Sequence, residues 1–411
     1  GCDACPMNPD VWSENARLNT PEDAKAILAR AVTHMPTNVD LWMHATQLED
    51  ADDRKRRVLR KALEKVPNSV RLWKALVELS SEEDAKVLLS RATECCPQHV
   101  DLWLALARLE TKGNARVVLN KARETLPHEP LVWIAAAKLE EANEKNDASN
   151  KNSSNTPSVG KIIERAIKSL KNKGVTIDRE YWLKEAEVAE KAGSPKTCFE
   201  IVRVTIGIDV EDADKKRTWK ADAAECMGRQ SYETARAIYK VATDTFPGKK
   251  SAWIAAAELE RVVGDSEAMD AVLKNAVKRC PRAVVLWLMA AKELWVRGDV
   301  PGARSVLEEA FIANPDSEDV WLAAFKLEFE SRQPDRARML LQKAREKATE
   351  NGTASSERVF VKAAIVEREV GDTNAERKIL KEGLNAHTSA RKLWLMLGQL
   401  ELRVGDVNAA R

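Results

Sequence analysis

Residues 97–110 read PQHVDLWLALARLE, and nearly the same line returns at 36–49 (PTNVDLWMHATQLE), 127–140 (PHEPLVWIAAAKLE), 247–260 (PGKKSAWIAAAELE) and 315–328 (PDSEDVWLAAFKLE). A recurrence at fixed spacing is the mark of a repeat architecture, in which each unit buries its apolar face on its neighbours. Trp traces the period through Trp12, Trp42, Trp73, Trp103, Trp133, Trp182, Trp219, Trp253, Trp287, Trp321 and Trp394, with Phe360 in the one gap, which makes twelve repeats. The first four intervals are 30 or 31 residues and the later regular ones 34. The difference is about one helical turn of ~3.6 residues, so a helix can lose it and keep its apolar face aligned.

Each aromatic opens a helical pattern. A small residue follows four positions on, as at Ala107, Ala257 and Gly398, and Glu stands seven on at Glu49, Glu110, Glu140, Glu260, Glu328, Glu367 and Glu401. These offsets share one helix face, with the bulk of Trp next to a small residue that lets a neighbour approach. This is helix A. Pro stands six residues before the aromatic in eight repeats, where it stops the preceding helix. Gly193, Gly264, Gly298, Gly371 and Gly405, eleven residues past the aromatic, read as C-terminal stops, and the Ser or Asp after each as the N-cap of a helix B. Helix B has its own line, ARVVLNKARETLP at 115–127 and ARSVLEEAFIANP at 303–315. No segment alternates as a strand does. The fold class expected is all-α, an α-solenoid superhelix of about twelve antiparallel helix pairs.

The organisation expected is short-period repeats over 1–140, a polar Asn- and Ser-rich insertion over 141–158 between the A and B helices of one repeat, and repeats of about 34 residues over 159–411. Both ends match the interior of a repeat, so the chain is expected to be a fragment of a longer one.

With 66 basic and 64 acidic side chains the net charge is +2, which gives no dominating field for gripping a phosphate backbone. The longest apolar runs fall well short of the ~20 residues a membrane helix needs, and no membrane partner is expected. Seven Cys include CDAC at 2–5 and the adjacent Cys95 and Cys96. Cys5, Cys96 and Cys280 share one place before the helix-ending Pro, so a packing role outweighs a zinc site. RGD at 297–299 occupies the A-to-B turn, where VGD stands in other repeats, and the sequons at Asn152 and Asn351 are short common patterns. No nucleophile, base and orienting group converge, and no phosphate loop appears. An enzyme, a cofactor and a small-molecule substrate are therefore not expected. The repeated Glu reads as a packing element that accepts hydrogen bonds from helix B, with Arg116 and Arg338 the named donors.

Two features could serve an interaction. The stretch DDRKRRVLRKALEK at 52–65 puts Arg54, Arg57 and Lys61 on one face of a helix B, where a solvated face is weighed against an RNA or acidic-protein contact. Trp295 lies outside the Trp register, at the margin of the apolar stripe, where packing on the next repeat is weighed against a partner contact.

The Trp, Ala, Glu and Pro pattern resembles the half-a-tetratricopeptide (HAT) repeat of RNA-processing proteins. The tetratricopeptide pattern proper wants Tyr where this chain has Glu. Residues 67–97, 102–127, 285–307 and 319–331 are similar to spliceosomal members of that family. The resemblance implies a nuclear, non-catalytic protein–protein scaffold of pre-mRNA splicing, bridging the U5 and U4/U6 parts of the U4/U6-U5 tri-snRNP through its proteins, with RNA contact secondary. Two alternatives remain open: a scaffold of another RNA-processing complex that binds RNA directly, and a chaperone-type peptide adaptor.

Overall fold

The computed structural model describes residues 7–147, 159–176, 178–350 and 355–405, and among these there are twenty-three α-helices and no strand. The chain divides into two compact units, one of residues 1–218 and 225–237, the other of 219–224 and 238–411.

The first unit begins with α1 (Pro9–Leu18) and α2 (Pro21–His34), α3 (Val39–Gln47) and α4 (Asp52–Lys65), α5 (Val70–Glu78) and α6 (Glu82–Cys95), and α7 (Val100–Leu109) and α8 (Lys112–Thr125). It continues with α9 (Pro130–Asp147) and α10 (Val159–Asn172), then α11 (Arg179–Lys191) and α12 (Pro195–Thr205), while α13 (Lys215–Gly228) and α14 (Tyr232–Thr245) contribute to both units. The second unit carries α15 (Lys250–Val263) and α16 (Ser266–Arg279), α17 (Val284–Val296) and α18 (Val300–Ala313), α19 (Glu318–Glu330) and α20 (Pro334–Glu350), α21 (Glu357–Val370) and α22 (Thr373–Ala386), and α23 (Arg391–Val404). Odd-numbered helices are the A helices of the sequence pattern and even-numbered ones the B helices. Within each unit the helices of a pair pack on one another and on a neighbouring pair, an α-solenoid in both units.

The difference in period is carried by helix A alone. Helices α3, α5 and α7 have 9, 9 and 10 residues, whereas α15, α17, α19 and α21 have 14, 13, 13 and 14. Helix B keeps 14 residues in α4, α6, α8, α16, α18 and α22. Helices α15 and α21 end on a glycine with positive φ, 84° at Gly264 and 87° at Gly371, and the Asp that follows caps helix B by accepting from the backbone N–H three residues on. Gly371→Ala forces a Cβ into this left-handed conformation and is expected to destabilise the second unit by about 1–2 kcal/mol, read as a shift in the denaturant midpoint.

The aromatic of each repeat is its core. Trp103 clusters with Leu119, Ala122 and Leu126 of its own helix B and Val132 of the next helix A. Phe360 takes the same place in the second unit, and Gly383 stands where other B helices have Ala. A Cβ there would lie 2.9 Å from Phe360 Cγ, so the missing methyl is what lets α22 close on α21. Trp394 departs from the pattern expected of a core residue: it is 55% exposed. The aromatics at the other repeat positions are buried, apart from the half-buried Trp321.

Of the polar segment at 141–158, the first seven residues continue helix α9. Helix α9 runs on to Asp147, and Glu141 and Asn143 are buried. Only 148–158 lie outside the described residues, as do Asn152, Asn351 and the CDAC pair.

Candidate protein-interaction surface

The recurring polar residues are used up internally, and this decides which side chains are left to meet a partner. Five tryptophans of the Pro-x5-Trp spacing donate their indole N–H to the carbonyl of that Pro: Trp42 to Pro36 at 2.9 Å, Trp73 to Pro67 at 2.8 Å, Trp103 to Pro97 at 3.0 Å, Trp253 to Pro247 at 2.9 Å and Trp287 to Pro281 at 2.8 Å. The proline thus stops one helix and offers its carbonyl to the indole that opens the next. Buried indole N–H groups need such a partner.

The repeated Glu is bound as its spacing suggested. Arg116 donates through Nε and a terminal nitrogen to Glu140 at 2.7 and 2.6 Å, Arg304 to Glu328 at 2.6 and 2.9 Å, Arg338 to Glu367 at 2.8 and 2.5 Å, and Arg377 to Glu401 at 2.7 Å each. Every one of these two-point bonds joins a helix B to the next helix A, so they fix the register between repeats. In α22 a buried Glu376 replaces the usual Ala and is met by Arg368 and Arg403, which keeps its charge compensated.

A second set of carboxylates was not legible in the motif. Glu141, eight residues after Trp133, accepts from the backbone N–H of Lys196 and Thr197 and from the Thr197 hydroxyl at 3.1, 2.8 and 2.8 Å. Glu190, eight after Trp182, does the same for Glu233 and Thr234 at 2.9, 3.0 and 2.7 Å. Each satisfies the orphan donors at the start of the helix B of the next repeat. The signal that could have found them is the pair of S-x-x-T starts, Ser194 to Thr197 and Ser231 to Thr234.

That same place, eight past the aromatic, is held by Trp295. It is half-buried against the core of α17–α20, and Lys326 Nζ lies 5.2 Å from its ring centroid. Lys326 belongs to the helix A of the next repeat, so the ring touches that repeat while part of it stays open to solvent. Arg54, Arg57 and Lys61 are exposed on α4, opposite the buried Leu59, Ala62 and Leu63. Their neighbours Lys55 and Arg56 are tied to Asp52 and Asp53. The structure brings the three cations to one face of α4, and Trp295 belongs to the other unit.

Burial pushes the thiols of Cys198 and Cys226 up to about 12, so neither is a nucleophile near neutrality. Among the described residues no group of His, Cys, Asp and Glu could hold a metal ion, and no helix is long and apolar enough to cross a membrane. Arg297, Gly298 and Asp299 form the turn between α17 and α18: Gly298 has φ of 87°, and Asp299 caps α18 by accepting from Gly302 N–H at 2.9 Å.

The tetratricopeptide repeat family matches residues 284–327. Pre-mRNA-processing factor 6 of Homo sapiens is 57% identical over 257 residues, 62% of this chain and 26% of that protein. Protein STABILIZED1 of Arabidopsis thaliana is 57% identical over 384 residues, 93% of this chain and 36% of its own length. Pre-mRNA-splicing factor prp1 of Schizosaccharomyces pombe is 46% identical over 269 residues, 66% of this chain and 29% of that one. The chain thus spans about a third or less of the relatives it matches. With its helix pairs, its Trp-to-Pro bonds and its Glu register, it is a HAT-type repeat protein similar to Pre-mRNA-processing factor 6.

Proposed function

We propose that the chain is a non-catalytic, nuclear scaffold of pre-mRNA splicing that joins proteins of the U5 and U4/U6 parts of the tri-snRNP. The observation that carries this reading is the 57% identity to Pre-mRNA-processing factor 6 over 62% of the chain, in repeats whose recurring polar groups are bound within the array. Such an array exposes long helical faces suited to many contacts with extended partners.

RNA contact is the secondary role, and the α4 face is its place. Arg54→Glu, Arg57→Glu and Lys61→Glu together are expected to weaken any RNA binding about equally for every sequence and to flatten its salt dependence, while capture of splicing-particle proteins survives. Filter binding across a salt series and affinity capture from nuclear extract measure the two. Sub-micromolar, sequence-selective RNA binding at physiological salt would replace the protein scaffold with the direct RNA-binding one.

A further inference from the structure

The groove over α9, between the B helices α8 and α10, is built to take an apolar side chain. It encloses a cavity of about 240 Å³, smaller than the 300–1,000 Å³ usual for a small-molecule site. Leu119, Val132, Leu139 and Ile162 give it an apolar lining, and Arg123 and Arg165 are exposed at its rim. Arg116 and Glu140 also line it but bind one another. The charge left at the rim is therefore positive. Arg123 lies over the Trp133 ring, 4.8 Å from its centroid, which holds the guanidinium in place before any partner arrives.

Resting on the scaffold reading above and naming the chemistry of one of its partners, we infer that this groove binds an acidic segment of a protein, one apolar side chain filling the cavity and flanking carboxylates meeting Arg123 and Arg165. A guanidinium fork suits a carboxylate in two-point contact. RNA fits less well. A phosphate has no use for the apolar lining, and the Trp133 ring, 7% exposed and already covered by Arg123, offers no stacking face to a base.

The second unit has a groove at the same repeat positions, about 340 Å³, lined by Leu307, Leu327, Leu340 and Lys343. There Glu308 and Phe311 stand where the first groove has Asn120 and Arg123, so the rim lacks a counterpart of Arg123 and a carboxylate offsets its cations Arg336 and Lys343. The preference for acidic segments accordingly belongs to the α8–α10 groove.

The test uses fluorescein-labelled ten-residue peptides, a pool with Glu or Asp at six positions and Leu, Ile, Phe or Met at the fifth, titrated with the whole chain by fluorescence anisotropy. Peptides with Gln or Lys in place of the acids and a ten-residue oligouridylate are the other arms. Members of the acidic pool are expected to bind, with affinity reduced at least tenfold by Arg123→Glu with Arg165→Glu, reduced by cavity-filling Ala136→Leu, and changed less than twofold by Lys343→Glu. Should Ala136→Leu fail to fold, the exposed arginine pair alone decides. Absence of binding by every acidic member, equal binding of the Lys peptides, binding indifferent to the arginine reversals, or a preference for the oligouridylate overturns the inference. Because no splicing protein enters this assay, its failure leaves the scaffold reading standing.

Discussion

Trp103→Ala is expected to destabilise the first unit by about 3–5 kcal/mol, the range for removing a buried aromatic from a packed core. The indole is 7% exposed, touches both its own helix B and the next helix A, and donates to Pro97 O at 3.0 Å. Its removal opens a cavity at the seam of two repeats and leaves that carbonyl without its indole donor. Trp394→Ala is the internal control. That indole keeps the corresponding bond, to Thr388 O at 2.9 Å, yet is 55% exposed, so its loss is expected to cost under about 1 kcal/mol. Urea unfolding of the two variants checks the pair, and equal effects would mean that burial of the indole does not set its contribution.

Glu141→Ala is expected to cost about 3–4 kcal/mol although it lies at the start of the most polar stretch of the chain. The side chain is fully buried, and its loss strips acceptors from two backbone N–H groups at the start of α12 and from the buried Thr197 hydroxyl. Loss of a helix cap is worth about 1 kcal/mol and a buried donor left unpaired about 1–3. Among the described residues Glu144, one turn on, pairs with exposed Lys196 at 2.8 Å, and Glu144→Ala is expected to change stability by under about 1 kcal/mol. Thermal unfolding followed by circular dichroism separates the two, and a Glu141→Ala effect no larger than that of Glu144→Ala contradicts the cap.

These two residues mark how far the sequence could be read. Trp103 was legible because its role repeats: the same bulk, small residue and acid return in repeat after repeat, and periodicity reports a shared face. The helix pairs, the shortened helix A and the Arg116 and Arg338 bonds follow from that regularity. Glu141 was hidden because its role depends on two helices that share no local pattern. Its own neighbours, Asn143, Glu144 and Lys145, have the composition of a loop, and the acceptor it supplies is needed by a helix more than fifty residues away. The indole bonds to Pro were missed for a different reason. The spacing of six was visible, but stopping a helix was already a sufficient account of the proline. Trp394 shows the converse: the motif marks the repeat position, yet the indole there is 55% exposed.

The interaction surface was legible only in part. The α4 cations could be placed on one face because every third or fourth residue there is basic. The α8–α10 groove could not, since Leu119, Leu139 and Ile162 come from three helices and each by itself reads as ordinary core. Trp295 lay between the two cases, a lone aromatic whose position eight past Trp287 gains meaning only when Glu141 and Glu190 are seen to cross repeats at the same place.

Crosslinking coupled to mass spectrometry on the assembled nuclear particle tests the scaffold role most directly. Lysine-directed crosslinks from exposed helix faces of both units to several splicing proteins, with RNA crosslinks confined to the neighbourhood of Arg54, Arg57 and Lys61, are the result expected. Crosslinks running mainly to RNA along both units, with none to splicing proteins, would contradict it.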